Sequence, residues 1–164
     1  MKAKNPQGEL FRSLVLSAGE EARRRGDRRI GTEHLLLGLL SDEDSPAATA
    51  LGVSLDDVRT RADELDVLAL SAIGVGVESL TSASPVKPGR RLPPLTSGAR
   101  TVIKQALDSA KPRRRGRLSS AHFLLAVLAL RAPDPAAVLL DEIGVDRAVV
   151  GERFGRSGEG GKVA

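Results

Sequence analysis

One twelve-residue pattern occurs twice in this chain, and any fold has to accommodate both copies. Arg29-Ile30-Gly31-Thr32-Glu33-His34-Leu35-Leu36-Leu37-Gly38-Leu39-Leu40 is matched 88 positions later by Arg117-Leu118-Ser119-Ser120-Ala121-His122-Phe123-Leu124-Leu125-Ala126-Val127-Leu128. Each copy has an apolar residue, a small one, a hydroxyl, a variable position, a histidine and an apolar run. The pattern predicts a helix capped by Thr32 or Ser120, whose hydroxyl would accept a first-turn N–H that lacks a helical partner. Leucines then occupy every side of that helix, so its neighbours must wrap it.

The flanks repeat as well. Upstream, Leu10, Leu14, Ala18 and Ala22 recur at helical spacing, as do Ala99, Ile103, Ala106 and Ala110. Thr96 is a good N-cap for the second of these helices, and Pro112 marks its end. Downstream, Leu51-Gly52-Val53 introduces a helix capped by Ser54, and Ile143-Gly144-Val145 introduces one at Asp146. That spacing is 92, so the second copy holds four extra residues, expected at Ala132-Pro133-Asp134-Pro135. The expected fold is all-α, a bundle of two four-helix repeats. We divide the chain into a flexible N-terminus (1–8), repeat 1 (9–65), short helices and a linker (66–94), repeat 2 (95–154) and a disordered tail (155–164).

Composition removes several chemistries. With no cysteine there is no disulfide, thiolate nucleophile or Cys-type zinc site. Three phenylalanines are the only aromatics, which leaves no stacking platform for bases or sugars. The start of the chain is polar and lacks a signal-type apolar run. Apolar stretches reach about ten residues, half a bilayer span, and the expected setting is cytoplasmic, with no membrane partner.

His34 and His122 are the only histidines. Neither has the spacing or ligand set of a zinc site, and their equivalent places favour buried, hydrogen-bonded scaffold roles. With both so assigned, no nucleophile, base and orienting group can be named. No catalytic residue, metal or cofactor is expected, and the Gly-Lys pair near the C-terminus fails the phosphate-loop pattern. The arginine clusters, at residues 23–29 and 113–117, fall between the first and second helices of each repeat. They read as solvated loops or as docking positions for an acidic partner, with Arg28, Arg29, Arg113, Arg114 and Arg115 as candidates. The formal net charge of +4 raises a nucleic-acid-associated protein as an alternative from another class, ranked below protein binding because no recognition motif accompanies it.

The segment Ile30 to Leu40, with Glu20-Glu21-Ala22-Arg23 upstream and Leu51-Gly52-Val53 downstream, resembles the signature of the Clp N-terminal repeat domain, which precedes the ATPase modules of ClpA- and ClpC-type unfoldases. The stretch from Leu68 to Leu80 resembles that of stand-alone members without those modules. The resemblance covers about residues 9 to 154 and is strongest in the first repeat. It implies a pseudo-twofold bundle of about eight helices that binds substrates, adaptors or peptide ligands of a Clp protease system. A regulator or adaptor of Clp-dependent proteolysis follows as the leading reading, with the groove between the repeats as the contact surface. Sequestration of cyclic-peptide toxins aimed at such unfoldases is a related alternative. ClpC-type members also bind phosphoarginine through the glutamate of each motif. Here the resemblance implies Thr32 and Glu33 as ligand residues in the first repeat, while Ala121 removes the carboxylate from the second. Glu33 otherwise reads as a helix-dipole partner. The Phe-Thr pair that opens each family repeat is replaced by Gln7-Gly8 and Leu95-Thr96.

Overall fold

The computed structural model describes residues 6–74, 91–110 and 117–157. They form eight helices: α1 (Pro6–Arg25), α2 (Thr32–Leu40), α3 (Pro46–Leu51), α4 (Leu55–Ala72), α5 (Ser97–Ala110), α6 (Ser120–Leu128), α7 (Pro135–Glu142) and α8 (Arg147–Ser157). The two series α1–α4 and α5–α8 follow the same order, and α2 and α6 are the central elements. Leu35, Leu36, Leu37 and Leu40 of α2 and Phe123, Leu124 and Val127 of α6 are essentially solvent-free.

The helix starts lie one residue earlier than expected. Gly31 and Ser119 are the N-caps, and Thr32 and Ser120 are the first helical residues. The cap bond is supplied by histidine: the Gly31 N–H donates to His34 Nδ1 (2.9 Å) and the Ser119 N–H to His122 Nδ1 (3.1 Å). An N3 side chain reaching back to the cap N–H is half of a capping box, here built with imidazole rather than Glu or Gln. The two hydroxyls, released from capping, join the repeats. Thr32 Oγ1 donates to Asp134 Oδ1 at the start of α7 (2.8 Å), and Ser120 Oγ accepts the Ala47 N–H at the start of α3 (3.3 Å).

The other termini obey local rules. Ser45, Ser54, Thr96 and Asp134 accept first-turn N–H groups of α3, α4, α5 and α7. Asp146 does the same for α8. Gly52 and Gly144 end α3 and α7 at φ of +65° and +73°, where a Cβ would be strained. The four extra residues are mostly not in the Ala132–Pro135 loop. The spacing between repeats is 88 at the α2 and α6 starts, 89 at the α3 and α7 starts and 92 at these glycines, so α7 itself is extended.

Several boundaries differ from the sequence expectation. α1 begins at Pro6, inside the stretch read as flexible. α4 runs unbroken to Ala72, so residues 66–72 continue it rather than forming separate short helices. Its first turn is capped and its inner face is buried at Val58 and Ala62, which outweighs the absence of a strong apolar stripe further along. Beyond the described gap, Leu95 pairs with Ile30 as an isolated parallel bridge, with Ile30 N–H to Pro94 O and Thr96 N–H to Ile30 O both 2.9 Å. α8 continues to Ser157, into the stretch read as tail. The remainder of the expected linker and tail lies outside the described residues.

Candidate functional site

Of the first arginine cluster, only Arg28 and Arg29 lie in the loop after α1; Arg23, Arg24 and Arg25 form the last turn of that helix. Cations there face the negative end of the helix and also meet carboxylates of α4. Arg24 pairs with Glu21 (3.1 Å) and Asp63 (3.4 Å); Arg25 pairs with Asp63 (2.9 Å), with Asp66 and, through Nε, with Asp27 (3.5 Å). Glu21 is buried and is held by both Arg24 and Arg59. Burial alone would raise its carboxyl pKa, but hydrogen bonds from Arg59 and Arg24 outweigh burial and hold it below the ordinary range. Arg28 and Arg29 are exposed in the α1–α2 connection. Arg113, Arg114 and Arg115 lie outside the described residues.

Around the start of α2, the structure assembles groups that are scattered in the sequence. His34 is 1% exposed. Because its Nδ1 accepts the Gly31 N–H, its other nitrogen is the one that donates, to Asp27 Oδ2 at 3.0 Å. That hydrogen bond is the main cause of a lowered Asp27 pKa; burial opposes it and Arg25 assists it. Glu33 Oε1 lies 3.2 Å from His34 Nδ1, and Thr32 Oγ1 is 3.5 Å from Glu33 Oε2. The Glu33 side chain, 20% exposed, folds back over the helix N-terminus, where the dipole favours negative charge. Gly31 makes that possible: a Cβ there would sit 2.3 Å from Glu33 Oε2. In the second repeat the cap is Ser119 and the matching position is Ala121, so a side chain at the cap accompanies loss of the carboxylate.

Asp27, Glu33 and His34 thus gather ligand-type atoms within 4.8 Å of one another. Sequence reading found no such cluster, because Asp27 is seven residues before His34 and reaches it only through the turn after α1. The geometry suits a hydrogen-bonded clasp better than a metal. The Gly31 N–H occupies Nδ1 and Asp27 takes the proton of the other ring nitrogen; Glu33 lies near the ring without a hydrogen bond to it, and Arg25 already stands against Asp27.

Beside this clasp a cavity of about 580 Å³ opens between α4 and α7, that is, between the repeats. Leu65, Leu68 and Ala69 form one wall; Pro135, Val138 and Leu139 form the other. Arg25, Asp27, Glu33 and Asp66 lie at its polar end. The middle of α4 and the first turns of α7 bound this cleft. Thr32 is 2% exposed and bonded to Asp134, so of the two ligand residues implied by resemblance only Glu33 borders open space. Asp27, Asp66 and Asp134 were not anticipated. Asp134 carries a local signal, a carboxylate before Pro135 at a helix start, but its partner is 102 positions away.

The fold and cleft define a duplicated all-helical domain with an acidic-ended cavity between its repeats. The chain belongs to the Clp repeat (R) N-terminal domain family, whose model matches residues 9–143. It is 28% identical over 136 residues to a chloroplastic ATP-dependent Clp protease ATP-binding subunit, ClpA homolog, of Brassica napus, covering 81% of this chain and 14% of that relative. It is equally similar to the chloroplastic chaperone protein ClpC1 of Oryza sativa subsp. japonica, 13% of whose length is covered. The crystal structure of the N-terminal domain of the chaperone ClpD of Arabidopsis thaliana has the same fold, with a TM-score of 0.62 at 16% identity over 88% of this chain and 92% of that one. Domains of this family bind substrates and adaptors of Clp chaperones. Among the described residues no helix is long and apolar enough to cross a membrane.

Proposed function

We propose that this chain acts by binding rather than catalysis, as a regulator of or adaptor for Clp-dependent proteolysis. It engages Clp unfoldase or protease components, adaptors or substrate proteins through the face on which the inter-repeat cavity opens. One observation carries the reading: in a domain of this family, Glu33 borders that cavity and the opposite repeat has no matching carboxylate. The contact is therefore asymmetric and made from the first repeat. A carboxylate is the natural partner of a guanidinium group, so phosphoarginine is a suitable small ligand, and a cyclic peptide is a larger one. The internal pairing of Arg24 and Arg25 supports protein binding over nucleic acid, because it occupies two of the five arginines in the cluster that suggested the latter.

Capture from lysate at low and high salt tests the proposal. Clp components or their substrates should be retained at both; recovery of nucleic acid alone, lost at high salt, would refute it. Calorimetric titration of phosphoarginine against wild type and Glu33→Ala tests the contact. Equal affinity would remove Glu33 from it.

A further inference from the structure

We infer that the α4–α7 cavity takes an aliphatic segment bearing an unmodified cationic side chain, lysine or arginine, from a partner protein. This rests on the binding role proposed above and specifies the chemistry of what is bound.

Size and walls set the first requirement. About 580 Å³ lies within the range of pockets that enclose a ligand, roughly 300–1,000 Å³, and corresponds to a few side chains rather than a whole element. The walls from Leu65 to Ala69 and from Pro135 to Leu139 are mostly aliphatic. Leu68 is 63% exposed, which leaves apolar area at the mouth for an incoming chain to cover.

Charge sets the second. The lining holds three carboxylates, Asp27, Glu33 and Asp66, against one guanidinium, Arg25. That guanidinium is shared further, because Asp63 also takes it at 2.9 Å. Arg24 also reaches Asp63, so among the described residues two guanidinium groups stand against four carboxylates at this end. Asp66 is paired with Arg25 but is also repelled by Asp27 and Asp63; with partial burial as the first cause, its carboxyl is pushed above the ordinary range. A cation placed at this end would relieve that repulsion, whereas a second anion would add to it. A phosphoarginine that meets Glu33 through its guanidinium has to turn its phosphate away from Asp27 and Asp66, whereas a plain ammonium or guanidinium needs no such orientation. The long stem of Lys or Arg can lie along apolar walls while its head reaches the carboxylates.

The local charge is opposite to that of the molecule. The chain carries a formal +4, so nonspecific attraction would favour an acidic peptide. That contrast makes the test sharp. Two fluorescent peptides of equal length, one of leucine and lysine and one with glutamate in each lysine position, are titrated into the full chain by anisotropy. The lysine peptide should bind at least about tenfold tighter, a modest electrostatic preference. Its affinity should fall with salt. Leu68→Ser, at an exposed position that leaves the fold intact by circular dichroism, should weaken it about fivefold through lost apolar contact. Equal or tighter binding of the glutamate peptide, or no effect of Leu68→Ser, would overturn the inference. Failure here with Clp components still captured from lysate would leave the broader binding role standing; failure of both would remove it too.

Discussion

Gly38 of α2 packs directly against the α1 backbone, and replacing it with alanine tests how rigid that contact is. A Cβ at residue 38 would lie 3.0 Å from Ala18 N, 3.1 Å from Leu14 O and 3.2 Å from Leu14 Cδ1. Two of these atoms are backbone, and they are the donor and acceptor positions of one α1 turn, so a few tenths of an ångström of helix displacement would be required. Overpacking of this kind costs about 1–3 kcal/mol. Alanine recovers about 1 kcal/mol of helix propensity over glycine. The net expectation is a loss of about 1 kcal/mol, or a drop of roughly 2–4 °C in Tm for a chain of this size. The second repeat supplies an internal control, because the equivalent residue of α6 is Ala126, 7% exposed. There the α5–α6 contact already contains the methyl group. Ala126→Gly should therefore also destabilise, by about 1–2 kcal/mol, through lost propensity and a lost buried methyl. Urea denaturation followed by circular dichroism measures both. A Gly38→Ala protein as stable as wild type, or more so, would show that α1 moves freely and would refute the close-packing argument.

Other consequences follow from the same geometry. Gly31→Ser should displace the Glu33 carboxylate and abolish any ligand heat that depends on Glu33 in calorimetry, while Ser119→Gly in the second repeat should leave that heat unchanged. Thr32→Val removes the Thr32–Asp134 link and should cost about 1 kcal/mol; a double-mutant cycle with Asp134→Ala should return a coupling of about that size. For pH, Glu21 and Asp27 have lowered folded values, so their stabilisation is present above the unfolded carboxylate value of about 4 and is lost as pH falls through the folded ones. Asp66 is raised and acts the other way, gaining stability on protonation. Melting temperature measured from pH 7 to pH 3 should fall at the acid end, and Glu21→Gln should flatten that limb.

How much of this was legible in the sequence depends on the range of each interaction. The duplication, the order of helices and the helix starts at Ser54 and Asp146 were readable because capping and periodicity are set within one or two turns. The exact cap was misplaced by one residue, since Thr32 and Ser120 have the right chemistry for capping and only their neighbours in the other repeat draw them away. The arginines at the end of α1 looked like a solvated run because their carboxylate partners sit on α4, about 40 positions further on.

By itself, then, the sequence determined an all-helical chain of two related halves, each centred on a leucine-rich helix that had to be buried. It also determined the asymmetry of Glu33 against Ala121. Tertiary structure alone decided that the two hydroxyls would link the repeats, that Asp27 would orient His34, and that α4 and α7 would leave a cleft with Glu33 and Asp66 at its end. The physical reason is separation. Helix starts and stops are local, but the cavity and the link between repeats exist only once segments roughly 70 to 100 residues apart are packed side by side.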